Sequence, residues 1–372
     1  SLTVSIKSSH LRIWTILLSI SVFSLSLFGA FIVRSGIIDS VHSFANDPDR
    51  GLYLLGFITL IVFTSIYLFI FRLPTIKTIG SIKKFSKESF ISLNNIFFGT
   101  LIFSVMLGVT YPLIYEFFFD QKISVGAPFY NAVFIPIVVL AVFFLFFSID
   151  SKWSRNINLK FLSTPIFLSL LFSSISVICT AYLFNTNNLA ILVSIFAGAI
   201  IIFRYIIEVL NYFLNKKYIN PFSVIAHMAL GLLLVSISFN SLLSTERALN
   251  IKINEYEEYK DLKIYFEDIR VLNNSNNDSI KATFVIENLD GKKFNLSPER
   301  RKYFTRGQIT TETAIHIMPL KDIYMTIGDQ LDDGSWIVNI QINYLIRFIW
   351  FSAALMAFAG MMLVFSNKSK QL

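Results

Sequence analysis

The chain is poor in charge and almost without cysteine. Asp, Glu, Lys and Arg make up 15% of its 372 residues, against about a quarter in soluble domains, which excludes an ordinary soluble globular class. Its one cysteine, Cys179, lies in an apolar segment. An intrachain disulfide, a CxxC redox motif and Cys/His zinc spacing are all excluded. No P-loop, GxGxxG, HExxH, paired helical carboxylates or catalytic triad is present. There is no internal repeat, and the only biased tract is the short run Asn273 to Asn277, expected at a loop tip. The chain opens on Ser1 without the basic, apolar and small-residue regions of a signal peptide. We read it as a fragment, a processed chain or one product of a split gene.

What is present is apolar. Hydrophobic residues make up 54% of the chain and the mean hydropathy is +0.63. Crossing a bilayer needs about 20 mostly apolar residues. Eight stretches qualify: 11–33, 51–71, 90–118, 129–149, 161–182, 189–212, 221–243 and 344–366. The third is long enough to tilt or to end in a short surface helix. Pro221 suits a first helical turn. The predicted fold class is therefore membrane α-helical, with about eight transmembrane helices and an extracytoplasmic β domain between the last two.

The net charge of +8 does not point to nucleic acid, because the basic residues sit in short loops, where topology accounts for them. Fourteen of them (Lys7, Arg12, Arg72, Lys77, Lys83, Lys84, Lys87, Lys152, Arg155, Lys160, Lys216, Lys217, Lys368 and Lys370) fall on one side of the membrane. Three (Arg34, Arg50 and Lys122) fall in the short loops of the other. This predicts both termini inside and the loop around residue 42 outside, together with the insert after the seventh helix.

That insert, 244–343, is polar and strand-like. Ile280, Ala282, Phe284 and Ile286 alternate with Lys281, Thr283 and Val285. Trp336, Val338, Ile340 and Ile342 repeat the pattern, and Asp290-Gly291 reads as a tight hairpin turn. The expected organisation is 1–243 as helices one to seven, 244–343 as an outer β domain, and 344–372 as the last helix with an inner tail.

Four histidines can be weighed one by one. His10, before the first span, reads as an interfacial polar residue. His316, on an expected strand, reads as structural or surface. His42 lies on an outer loop, where it is either solvated or a ligand to haem iron. His227 lies about two turns into helix seven. A histidine inside a span is a functional candidate by default, the alternative being an interhelical hydrogen bond. Arg204 and Glu208, spaced i and i+4, suggest an ion pair with Arg204 snorkelling to the inner interface. Asn94 and Asn95 suggest polar contacts between helices. Arg34 and Arg50 bracket the His42 loop, as carboxylate partners or as interfacial anchors.

The stretch FIVRSGIIDSVHSFANDPDRG, from Phe31 to Gly51, closely resembles the loop after the tryptophan-rich motif of the CcmF family, the haem-lyase family of cytochrome c maturation. Further resembling blocks follow in order: KESFISLNN, GAPFYN, IAH, LSPERRKYF, TTETAI, KDIYMTIGDQLDDGSWIV and IRFIW. The resemblance covers nearly the whole chain. It implies a haem lyase, which helps join haem to the CxxCH thiols of apocytochrome c on the outer side of the membrane. It also implies that His42 is an axial ligand to the incoming haem, with Arg34 and Arg50 as possible propionate contacts. His227 becomes one ligand of a resident haem b, with its partner expected one residue before Ser1.

Implied partners are an upstream half bearing the tryptophan-rich motif, a haem chaperone, and apocytochrome c with its thiol-reducing and presenting subunits. The implied location is a bacterial inner membrane with the β domain periplasmic, or a mitochondrial inner membrane if the chain is organellar. No catalytic side chain is expected, since the nucleophiles are the substrate's thiols. Three features depart from the family. The tryptophan-rich motif is missing, its Lys-Pro before the final helix is Asn343-Tyr344, and the glycine after the helix-seven histidine is Ala229. The rival readings are a transporter for haem or another small molecule, which predicts repeats and interrupted helices, and a membrane scaffold of an assembly complex.

Overall fold

The computed structural model describes residues 1–35, 48–76, 82–155, 164–216, 219–304 and 309–365. It divides into two units, Ser1–Ser163 and Thr164–Leu372.

The first unit is helical. A short helix α1 (Leu2–Ser8) precedes α2 (Arg12–Arg34), α3 (Pro48–Arg72), α4 (Lys87–Phe119) and α5 (Ala127–Ser148). α1 was not expected. Its seven residues LTVSIKS are too few to give a periodic signal. α4 runs as one helix of 33 residues, about 50 Å long at 1.5 Å per residue, and Pro112 lies inside it. Large apolar side chains such as Phe63, Phe103 and Phe117 point outward. This is what a lipid-facing surface requires, since lipid tails are as apolar as the side chains.

Two close approaches shape this unit. α4 and α5 meet where the Tyr130 hydroxyl lies against Gly108, so closely that a β-carbon there would overlap it. The KESF block builds a clamp at the start of α4. Ser86 caps the helix by accepting from Ser89 N–H. Glu88, buried, accepts from the Ser154 N–H at 2.9 Å and from its hydroxyl at 3.1 Å. The Lys87 N–H donates to the Lys152 carbonyl at 3.1 Å. The loop after α5 is thus tied to the first turn of α4.

The second unit contains α6 (Thr164–Leu183), α7 (Leu189–Asn215), α8 (Pro221–Leu243), ten strands, and α9 (Ile346–Phe365). Among the described residues seven helices, α2 to α8, are long and apolar enough to cross a membrane. The eighth expected span is α9, whose described apolar stretch, Ile346–Met362, is shorter than the others. Several serines within the spans return their hydroxyls to their own backbone: Ser169 donates to the Pro165 carbonyl and Ser173 to the Ser169 carbonyl, both at 2.6 Å, which satisfies donors that lipid cannot. Asn220 opens α8 by accepting from Phe222 N–H, with Pro221 in the first turn as expected.

The strands form a β-sandwich. One sheet has the order β1 (Thr245–Ile251), β10 (Trp336–Tyr344), β9 (Lys321–Gln330), β8 (Ala314–Ile317). The other has the order β2 (Tyr256–Tyr259), β3 (Leu262–Asn273), β4 (Asn277–Asn288), β6 (Glu299–Tyr303), β7 (Ile309–Glu312), with β5 (Lys293–Leu296) also on β4. Its core is Leu249, Ile251, Ile264, Phe266, Ala282, Phe284, Ile286, Ile323, Met325, Val338, Ile340 and Ile342. The alternation read from β4 and β10 is the inward face of each sheet. Asp290-Gly291 turns β4 into β5, and Gly291 adopts φ +73°. Gly291→Ala is expected to destabilise the sandwich by about 1–2 kcal/mol, the cost of a side chain in left-handed backbone. Thermal denaturation of the purified chain in detergent measures it.

Entry and exit of the sandwich are adjacent, because β1 pairs with β10 in register Thr245↔Ile342. Ser244 Oγ accepts from Tyr344 N–H at 2.9 Å, and Asn240 Nδ2 donates to the Tyr344 carbonyl at 2.7 Å. The departure at Asn343-Tyr344 therefore has a local consequence. A proline at 344 has no N–H to donate to Ser244. Arg347, in the first turn of α9, faces buried Asp322 at 3.0 Å and holds β9 to that helix.

Candidate functional site

The two candidate ligands stand differently. His42, with Asp39 and Asp47, lies outside the described residues, as do Lys77, Lys160, Lys217, Lys368 and Lys370. The ends of its loop are described. Ser35, buried at the end of α2, lies so near Gly51 in α3 that a β-carbon on Gly51 would sit 2.9 Å from the Ser35 Cα and Cβ. Only glycine lets the two helices approach this closely at that level. Arg34 and Arg50 each directly precede one member of this contact, and both are exposed.

His227 belongs to a packed polar cluster inside the second unit. Its geometry follows from a glycine crossing. A β-carbon on Gly198 of α7 would lie 2.7 Å from the Gly231 carbonyl oxygen, and one on Gly231 would lie 2.8 Å from the Gly198 carbonyl oxygen. Small residues at such reciprocal points let membrane helices approach at backbone contact. Gly231→Ala meets the Ile202 side chain at 2.7 Å and the Gly198 carbonyl oxygen at 2.8 Å, and the backbone atom cannot turn aside. It is expected to force the helices apart at about 1–3 kcal/mol, visible as a lowered melting temperature in detergent.

Tyr205 lies about two turns beyond Gly198 on α7, and His227 one turn before Gly231 on α8, so the crossing sets them face to face. The Tyr205 hydroxyl is 2.6 Å from His227 Nδ1. The two rings stack, with centroids 5.3 Å apart and planes at 21°. Ser223 Oγ, one turn earlier on α8, is 3.2 Å from the same nitrogen. Beside Tyr205, Arg204 Nη1 donates to Glu208 Oε1 at 2.5 Å. The ion pair forms as its spacing predicts, but Arg204 does not snorkel. It is 1% exposed and Glu208 8%, because α7 is enclosed along a stripe of buried residues from Ile195 to Glu208.

His227 suits a haem ligand in one specific respect. Coordination through Nε2 requires the proton on Nδ1, and a hydroxyl oxygen can accept it as readily as a hydroxyl hydrogen can be donated. Tyr205 and Ser223 are therefore compatible with the Nδ1-protonated tautomer that coordination through Nε2 requires. Among the described residues no group of three or more His, Cys, Asp or Glu could hold a bare metal ion.

The remaining candidates lie apart from this cluster. His316 stacks on Phe294 with centroids 3.6 Å apart, joining β8 to β5. Among the described residues neither ring nitrogen of His10 has a hydrogen-bond partner, and neither has the Asn95 side-chain nitrogen. Asn94 is exposed, as is Cys179. The sequence reading missed Tyr205, Ser223 and the glycine crossing. A Ser-x-x-x-His-x-x-x-Gly spacing on one face of α8 was the available signal.

Fold and site define a multi-span membrane protein that carries a β-sandwich between its last two helices. Residues 242–343 match the family described as CcmF C-terminal beta-sandwich. Along nearly its whole length the chain is similar to members of the CcmF family. It is 30% identical to the cytochrome c-type biogenesis protein CcmF of Escherichia coli (strain K12), over 100% of this chain and 58% of that protein. It is likewise 30% identical to the protein of the same name from Pseudomonas fluorescens, over 97% of this chain and 56% of that one. A solved structure named Cytochrome c Heme Lyase CcmF superposes with a TM-score of 0.76 at 15% identity, covering 98% of this chain and 56% of its own. That likeness speaks for the fold alone. The chain spans a little over half the length of these relatives.

Proposed function

We propose that this chain is part of a haem lyase for cytochrome c maturation. In this reading it works with a polypeptide that supplies the tryptophan-rich half. The observation that carries the reading is His227, an imidazole inside a candidate membrane span whose Nδ1 is held by Tyr205 and Ser223. The names of the relatives, cytochrome c-type biogenesis proteins, support it independently.

The chain's own residues would divide the work. His227 would hold a resident haem b within the membrane, with its second ligand outside this chain. Such a haem supplies one-electron chemistry, whose potential depends on the axial ligands and their hydrogen bonds. His42 would bind the incoming haem, here the substrate, on the outer face. Arg34 and Arg50 would face its propionates, where a guanidinium pairs well with a carboxylate. The sandwich would stand on that same outer face, as the lysine and arginine bias predicts. In a bacterium this is the periplasmic side of the inner membrane. The chain would position apocytochrome c thiols against the haem vinyl groups, with entropy and orientation as its main contribution. A haem chaperone and thiol-presenting subunits would complete the assembly.

The transporter reading expects interrupted helices near the midplane. Among the described residues α2 to α8 instead each run as one continuous α-helix. The test is to co-express the chain with an upstream half bearing the tryptophan-rich motif, purify the pair and record an absorption spectrum. A six-coordinate b-type haem signal, with holocytochrome c formed in the same cells, is the expected result. A colourless pair that forms no holocytochrome c ends the proposal.

A further inference from the structure

We infer that Tyr205 is a positioning residue for His227, setting both the ring orientation and the donor strength of the axial ligand. The inference rests on the haem reading above and extends it to a residue on a different helix. Tyr205 is 6% exposed, and a phenol hydroxyl buried among apolar helices needs a partner. Its partner at 2.6 Å is His227 Nδ1. The near-parallel stack at 21° restrains rotation of the imidazole about its Cβ–Cγ bond. The hydroxyl and the ring face therefore fix two different degrees of freedom of one ligand.

The hydrogen bond also has an electronic effect. An imidazole that binds iron through Nε2 donates its Nδ1–H, and the acceptor of that proton tunes ligand basicity. A neutral phenol oxygen is a weaker acceptor than a carboxylate. It leaves the ligand a neutral imidazole, made moderately more electron-donating. Ser223, at 3.2 Å, is the longer and weaker of the two contacts. In the low dielectric of a helix pair, such a bond counts for more than it does in water.

The test uses the full chain co-expressed with the tryptophan-rich half and purified with its haem. Tyr205→Phe keeps the ring stack and its volume and removes only the hydroxyl. The expected result is haem retained about tenfold more weakly, with the midpoint potential of the membrane haem raised. The ferric low-spin g-values should move in the direction of a less basic imidazole. Ser223→Ala should move potential and g-values less than Tyr205→Phe, and the double variant more than either. A merely structural role for Tyr205 leaves potential and g-values where they were, and that outcome overturns the inference. If Tyr205→Phe does not accumulate, Ser223→Ala carries the test. A small shift there is expected, and a large one assigns the acceptor role to Ser223 and overturns the inference. Absence of haem from the wild-type pair is a distinct result that removes the haem reading and this inference with it.

Discussion

Glu208→Ala is expected to destabilise the helical part of the second unit by about 3–5 kcal/mol, while Arg204→Met/Glu208→Leu recovers most of that loss. The asymmetry comes from burial. An exposed ion pair contributes about 0–1 kcal/mol, so its loss would scarcely be seen. Arg204 is 1% exposed, and removing the carboxylate it faces at 2.5 Å takes the counter-ion from a buried guanidinium. The penalty is then desolvation of a charge whose counter-ion is gone. Removing both charges and filling their volume with apolar side chains removes the penalty as well. A spacing of i and i+4 alone predicts only about 0.2–0.5 kcal/mol, an order of magnitude less. Thermal unfolding of the three variants in detergent decides between these sizes. A Glu208→Ala loss below 1 kcal/mol would mean that water or lipid headgroups reach Arg204.

The same pair illustrates what a sequence can disclose. Contacts within one element follow from spacing. The ion pair, the inward alternation of β4 and β10, the Asp290-Gly291 turn and the proline at the head of α8 were all legible, because each depends on residues a few positions apart. Contacts between elements were not. Nothing in the sequence states that Tyr205 meets His227, since which faces of two apolar helices meet depends on where their backbones approach most closely. That point is set by Gly198 and Gly231, two unremarkable glycines until paired. The fate of Arg204 was misjudged for the same reason. Distance from a helix end suggested an outlet to the interface, whereas neighbouring helices enclose the residue. Likewise the partner of Glu88, Ser154, lies 66 positions away, beyond any local spacing. α1 was missed through brevity, and the eighth span was legible in composition, although the described apolar part of α9 is short.

His42→Ala and His227→Ala should each abolish holocytochrome c formation, but with opposite spectra. The reading assigns the two imidazoles to different haems, one delivered as substrate on the outer face and one resident in the membrane. Loss of a direct iron ligand exceeds the roughly 10–100-fold that removal of an outer hydrogen-bond partner causes, so cytochrome yield should fall to background in both variants. In His227→Ala the b-type signal of the co-purified pair should vanish. In His42→Ala it should remain, because Tyr205 and Ser223 still hold the His227 ring. The His42 loop should also keep its anchorage. Its two ends meet at Ser35 and Gly51, outside the substituted position, so the chain should still insert and accumulate. Gly51→Val supplies the complementary case. Its side chain would press on the Ser35 backbone and part the ends of the loop, lowering cytochrome yield while His42 itself remains. Unchanged cytochrome yield in His42→Ala removes the outer ligand from the proposal. An undiminished b-haem signal in His227→Ala removes the inner one, and with it the reason for a hydroxyl at Tyr205.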